Sequence, residues 1–195
     1  MKNLKQIQSN LRGFLKGASY SAVLAGTFFA FASESAASEP IQLSLVPDVA
    51  MHDRNTHIEG LSLGIWSENP QRALTLGIVN GSTGQSSGFS WGYLANYSDS
   101  YKGVQWAPVN YAKGDFLGWQ GGIVNYSNNS MLGFQSGLVN YTGHLKGLQL
   151  GFLNYAERVD EGVQIGVINL MPENEWFSEL PDELAPGMVF VNWRF

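Results

Sequence analysis

Between Gly60 and Leu170, apolar and polar residues alternate within a short unit that recurs eight times, roughly Gly-apolar-Gln-apolar-Gly-apolar-apolar-Asn-Tyr. The clearest copies are Gly118-Trp-Gln-Gly-Gly-Ile-Val-Asn-Tyr126, Gly133-Phe-Gln-Ser-Gly-Leu-Val-Asn-Tyr141 and Gly147-Leu-Gln-Leu-Gly-Phe-Leu-Asn-Tyr155. Gly162-Val-Gln-Ile-Gly-Val-Ile-Asn-Leu170 follows them, Gly103-Val-Gln-Trp-Ala-Pro-Val-Asn-Tyr111 precedes them, and degenerate copies begin at Gly60, Ala73 and Gly88. The starts lie 13 to 15 residues apart. Helical repeats need periods above about 30 residues, whereas one strand plus one turn fits this spacing. The chain therefore reads as a tandem array of strands.

Side chains along a strand alternate between its two faces. One face of the array collects Leu148, Leu150 and Phe152, then Val163, Ile165 and Val167, with Trp91, Trp106, Trp119 and Phe134 on other copies. The opposite face collects Gln105, Gln120, Gln135, Gln149 and Gln164, beside Gly122, Gly137, Gly151 and Gly166. One face is bulky and apolar, the other small and polar. Lipid-facing and lumen-facing residues alternate in this way in membrane barrels. The pattern predicts an all-β, antiparallel, up-and-down transmembrane β-barrel, with those five glutamines facing the lumen.

Two more strands bring the count to ten. Residues 41–47 alternate Ile41, Leu43 and Leu45 ahead of the array, and residues 187–195 place Val189, Val191, Trp193 and Phe195 on one face. Even strand numbers suit single-chain outer-membrane barrels. The two longest connections, 48–59 and 171–186, would then share one side, as extracellular loops do. The Asn-Tyr pairs would end the strands and form two aromatic girdles at the membrane interfaces. Tyr shares parity with Gln, however, so it reaches an interface only if the pleat breaks at Asn. The rival fold is a β-solenoid of about 15-residue coils, which would stack Asn110, Asn125, Asn140, Asn154 and Asn169 into a ladder. The uneven period and the terminal Phe195 weigh against it.

The start of the chain reads differently. Lys2, Lys5, Arg12 and Lys16 precede an apolar run over 18–32, and Ala30-Phe-Ala32 ends it with a small-x-small cleavage pattern. This is the layout of a secretory signal peptide. The run is too short for a spanning helix. A second cleavage pattern stands at Ser35-Ala-Ala37. The domain plan is then a signal peptide over 1–32, a linker over 33–39 and a barrel over 40–195, with repeats at 60–170.

Removing the leader changes the charge. It holds four of the eleven Lys and Arg and none of the sixteen Asp and Glu, which leaves −9 for the remainder. So acidic a chain lacks the basic face that a nucleic-acid partner requires. Cysteine is absent, so an exported chain has neither disulfides nor a lipid-attachment thiol.

Catalytic motifs dissolve on inspection. Gly60-Leu-Ser-Leu-Gly64 and Gly88-Phe-Ser-Trp-Gly92 match the Gly-x-Ser-x-Gly pattern of serine hydrolases. That motif needs a strand-to-helix elbow and a His/Asp set, and both matches are repeats with Ser in the Gln position. His52, Asp53 and His57 share one loop and read as solvated polar residues in preference to metal ligands. No catalytic, metal or cofactor set emerges. The loop over 171–186 is acidic and aromatic, and Glu173, Glu175, Trp176, Phe177 and Glu179 form a possible interaction loop.

The chain ends on Phe195, with Trp193, Val191 and Val189 alternating upstream. This resembles the terminal assembly signal of bacterial outer-membrane barrels, with Trp193 and Phe195 as its aromatics. The repeat itself resembles that of a family of bacterial surface-repeat proteins, best known from spirochaetes and found also in Gram-negative bacteria. The resemblance implies exposure at the cell envelope. The expectation is a non-catalytic outer-membrane, surface-exposed protein with a structural or interaction role. Its partners would be outer-membrane lipid, the barrel-assembly machinery during biogenesis and an extracellular partner. The alternatives are a narrow passive pore and a secreted β-solenoid binding module.

Overall fold

The computed structural model describes residues 38–195. The leader over 1–32 and all but the end of the 33–39 linker lie outside the described residues. The elements are β1 (Glu39–Val46), β2 (Val49–Ala50), β3 (Ile58–Asn69), β4 (Gln71–Trp106), β5 (Val109–Ala112), β6 (Phe116–Gly121), β7 (Val124–Leu170) and β8 (Gly187–Arg194). Two of them, β4 at 36 residues and β7 at 47, are far longer than any straight strand. They remain hydrogen-bonded to a neighbour while the chain winds round.

The pairing is parallel. Gly103 lies beside Gly118, and Gln105 beside Gln120. Gly118 lies beside Gly133. Asn96, Asn110 and Asn125 line up in turn, as do Tyr97, Tyr111 and Tyr126. Every residue sits on its counterpart in the next repeat. The molecule is a parallel β-solenoid of about seven turns, and the antiparallel transmembrane barrel of ten strands is wrong. With it go the transmembrane strands, the lumen and the two girdles at opposite membrane faces.

The physical reason lies in the repeat. Parallel strands need a return path of about a dozen residues, and a 13-to-15-residue unit contains that path as a full coil. Stacking in parallel also places each buried amide on a copy of itself, which alternating strand directions would prevent. The connections that read as hairpin turns are one edge of the coil.

Each coil has two sides and a corner. The first side, seen in β6, carries Gly118 to Gly121; the second, seen in β5, carries Val109 to Ala112. At the corner, consecutive amides donate to one carbonyl. Ile123 N and Val124 N both reach Pro108 O at 2.9 Å, and Leu138 N and Val139 N reach Ile123 O at 2.9 and 3.0 Å. Two successive side chains therefore point outward there, and the pleat resets. The break that lets Tyr face away from Gln lies at this corner, ahead of Asn. The first side begins on glycine because the coils touch there. Gly133 has φ +133°, and a Cβ built on it would stand 2.2 Å from Gly118 O.

Antiparallel pairing is confined to the ends. β2 pairs with β1 ahead of the first coils. β8 runs antiparallel along the last coil, with Trp193 beside Val163 and Val191 beside Ile165. The long connections thus serve opposite caps and do not share a membrane side. A small apolar cluster of Tyr101, Phe116, Met131, Leu145, Val159 and Met171, with Ala112 and Ala156, fills the interior behind the turn edge. Among the described residues, no helix is long and apolar enough to cross a membrane.

Candidate functional site

Behind the two outer sides the interior is polar and the exterior apolar, while the apolar cluster is kept to the turn edge. Gln105, Gln120, Gln135, Gln149 and Gln164 are all fully buried. From Gln120 onward each amide donates to the glutamine of the preceding coil: Gln120 to Gln105 at 3.3 Å, Gln135 to Gln120 at 2.8 Å, Gln149 to Gln135 at 2.8 Å and Gln164 to Gln149 at 2.7 Å. The second amide hydrogen of Gln149 goes to Tyr155 O at 3.2 Å. A row of amides leaves one unmatched group at each end, here Gln105 Nε2 and Gln164 Oε1.

Asparagine forms a second ladder of opposite sense. Asn110 donates to Asn125 at 2.9 Å, Asn125 to Asn140 at 2.8 Å and Asn140 to Asn154 at 2.8 Å, each toward the following coil. The two rows of amide dipoles therefore run against each other.

The outer surface carries the candidate site. On the first side, Phe89, Trp119, Phe134, Leu148 and Val163 form one outward row, and Trp91, Trp106, Leu150 and Ile165 form another. Ile41 and Leu43 of β1 pair beside Leu61 and Leu63 and extend the rows to one end, and β8 extends them to the other. Rings pack across and along the rows: Trp106 and Trp119 centroids are 5.5 Å apart between the two rows, and Trp119 and Phe134 6.0 Å within one. Where Gly121 and Gly122 supply no side chain, Trp91, Trp106, Trp119, Pro108 and Ile123 enclose an open groove of about 470 Å³. The corner adds Ile78, Ile123, Leu138, Phe152 and Val167, all exposed.

The second side ends on a tyrosine row. Tyr111, Tyr126, Tyr141 and Tyr155 stack with centroid spacings of 5.5, 4.4 and 5.4 Å. Within the row Tyr141 donates to the Glu157 carboxylate on the charged edge, and Tyr97, in the same position on an earlier coil, donates to Glu68. That anionic acceptor raises the Tyr141 pKa. Burial first, and then Glu68, pushes Tyr97 up to about 12. Burial alone raises Tyr101.

Charge is segregated. The repeats over 103–111, 118–126, 133–141, 147–155 and 162–170 contain no charged residue. Ions cluster on the turn edge, where His144 pairs with Asp160 at 2.9 Å and Lys146 with Glu161 at 3.3 Å. This segregation was present in the sequence. Alternation alone concealed it, because the corner that joins two apolar sides is not a feature of period two.

The remaining predicted residues lie at the caps or inside. Trp193 Nε1 donates to Pro181 O at 2.9 Å, while the Phe195 ring is exposed. Glu173, Glu175, Trp176, Phe177 and Glu179 are exposed on the cap loop, with the Trp176 and Phe177 rings 5.9 Å apart. His52 and His57 face different carboxylates, Glu39 at 3.9 Å and Glu59 at 3.6 Å. Among the described residues no three potential ligands gather at a metal site. Ser62 and Ser90 are buried in the glutamine position. Comparison of the chain with protein-family models, with curated proteins and with solved structures finds no match.

Proposed function

We propose that the protein is an exported, non-catalytic β-solenoid binding module of a bacterial cell envelope, and that its outer wall binds a lipid surface. One observation carries the reading: over the repeats from 103 to 170, two adjoining sides and the corner between them are apolar and free of charge, while the ions of those coils lie on the opposite edge. Exposed apolar patches beyond several hundred Å² mark interaction surfaces. The burial of Ser62 and Ser90 inside the coil supports a non-catalytic role, since neither hydroxyl faces solvent.

Shape favours lipid over a protein partner. The first side is roughly 45 Å long, from strands about 4.8 Å apart, and roughly 20 Å wide, at about 3.3 Å per residue. That area is close to the roughly 800 Å² per partner of a standard dimer. Such a dimer would leave the corner row and the second side in water. Hydrocarbon covers all three at once. The solenoid suits that environment because its backbone groups are paired within the coils.

The acidic balance makes the binding apolar in origin. Attraction to anionic headgroups would be weakened by salt, but burial of the wall would not. Purified protein mixed with zwitterionic phosphatidylcholine vesicles is expected to float with them at both low and high salt. Protein that stays unfloated as a stable dimer would assign the wall to a second copy.

A further inference from the structure

We infer that the solenoid enters lipid corner first, with its axis parallel to the surface and its tyrosine row at headgroup level. The inference rests on the lipid reading and adds orientation and depth to it.

The corner row sets the leading edge. Ile65, Ile78, Ile123, Leu138, Phe152 and Val167 occupy the same position on their coils and are all exposed, Leu138 at 60%, with Pro108 in that position on the 103–111 coil. The row continues into the cap. Phe190 of β8 lies opposite Gly166, has φ +69° and is 75% exposed. A left-handed backbone is a real outlier for an aromatic residue and costs on the order of 1–3 kcal/mol. Here it turns β8 at the corner and brings a phenyl ring to the end of the ridge. A ridge that runs the length of the molecule, cap included, fits an axis lying flat. An end-on entry would need apolar residues at one end only.

The tyrosine row sets the depth. Along the second side it lies three residues beyond the corner, about 10 Å at strand rise. Amphipathic elements lying in a membrane interface bury about 5–10 Å. Tyrosine concentrates at such boundaries because its ring is apolar and its hydroxyl polar. The rings of Tyr111, Tyr126, Tyr141 and Tyr155 stack on one another along the row. Immediately past them come Lys113, Asn128, His144 and Glu157. On the first side the boundary is drawn by Lys102, Lys146 and Glu161, each one residue before the glycine that opens a repeat. The neutral wedge between these limits complements hydrocarbon, and the charged edge complements water.

The absence of cysteine allows a direct test, because single-cysteine variants of the full chain take one label each. Ile78→Cys, Leu138→Cys and Phe190→Cys place a polarity-sensitive fluorophore at the start, middle and end of the ridge. Val167→Cys serves in place of Phe190→Cys if the cap does not tolerate that change. Asn128→Cys places the label behind the tyrosine row. On phosphatidylcholine vesicles, all ridge labels are expected to shift to the blue and to lose most of their emission to a quencher on the acyl chains. The Asn128→Cys label should do neither. Flotation of the same samples reports binding separately. Floating protein quenched at one end of the ridge only, or as strongly at residue 128 as at 138, overturns the orientation and leaves the lipid reading standing. Protein that does not float overturns both.

Discussion

Single residues of one type do several jobs here, and position decides which. Tyr101 points inward among apolar side chains, while Tyr141 lies on the surface beside Glu157; in both the ionised phenolate is disfavoured, by burial in the first and by a neighbouring anion in the second. Raised folded-state values mean that the stabilisation is complete below the unfolded value of about 10. It is lost as pH rises from there through the higher folded values. Phenolate absorbance in an alkaline titration should therefore show a late set, with Tyr97 near 12 and Tyr101 and Tyr141 later still. Glu157→Gln removes the anion and should bring one phenol of that set forward while Tyr101 stays put; an unchanged curve would remove Glu157 as the cause. The glutamine and asparagine positions were readable from the repeat as polar and equivalent. Their bonding partners followed only from the rival solenoid, which stacks the asparagines into the ladder observed. A period-two pattern assigns a face to each residue, and it is the parallel register that sets like on like.

At the scale of one coil, the pattern of sides was right and the direction of the chain was not. Alternation within residues 147–152 or 162–167 looks the same whether the next strand runs parallel or antiparallel. The discriminating feature was the identity of the slots, since only parallel stacking turns five equivalent glutamines into a ladder. The corner showed in the sequence only as the break in the pleat that Tyr requires. Two consecutive outward residues, such as Leu138 and Val139, read as an irregularity in a strand when they are in fact a bend. The coil makes a prediction that a barrel reverses. Gln164→Arg buries a cation inside the stack and breaks the last ladder bond, at a cost of about 3 kcal/mol or more. Ile165→Arg points outward and should cost no more than about 0.5 kcal/mol in stability, while reducing vesicle flotation. Urea unfolding of both variants decides it. A lipid-facing Ile165 in a barrel would give the larger loss to Ile165→Arg.

The whole molecule depends on how a stack of identical coils is made to stop. Repeat solenoids expose an unpaired strand at each end, and natural ones close it with atypical elements. The terminal strand with Trp193 and Phe195 drew attention in the sequence as the closure of a barrel, and β8 is a terminal element of another kind: it lies antiparallel on residues 162–170 and covers the last free edge. Leu184 N donates to Trp193 O at 3.2 Å and Phe195 N to Asp182 O at 2.9 Å, so the cap loop folds against β8 in turn. Truncation after residue 186 uncovers that edge while β1 and β2 still cover the other. With one end closed, copies cannot add head to tail into a fibre. Two exposed edges can pair antiparallel about a two-fold axis, each taking the place of the other's β8. The truncated chain should therefore form a discrete dimer, with light scattering behind size exclusion giving twice the monomer mass while the full chain gives a single one in the same detergent-free buffer. A monomeric truncation would show that β8 is not needed to cover the edge. Fibrils that bind thioflavin would show that the β1–β2 end does not block growth, and the cap would then have to be sought elsewhere at that end.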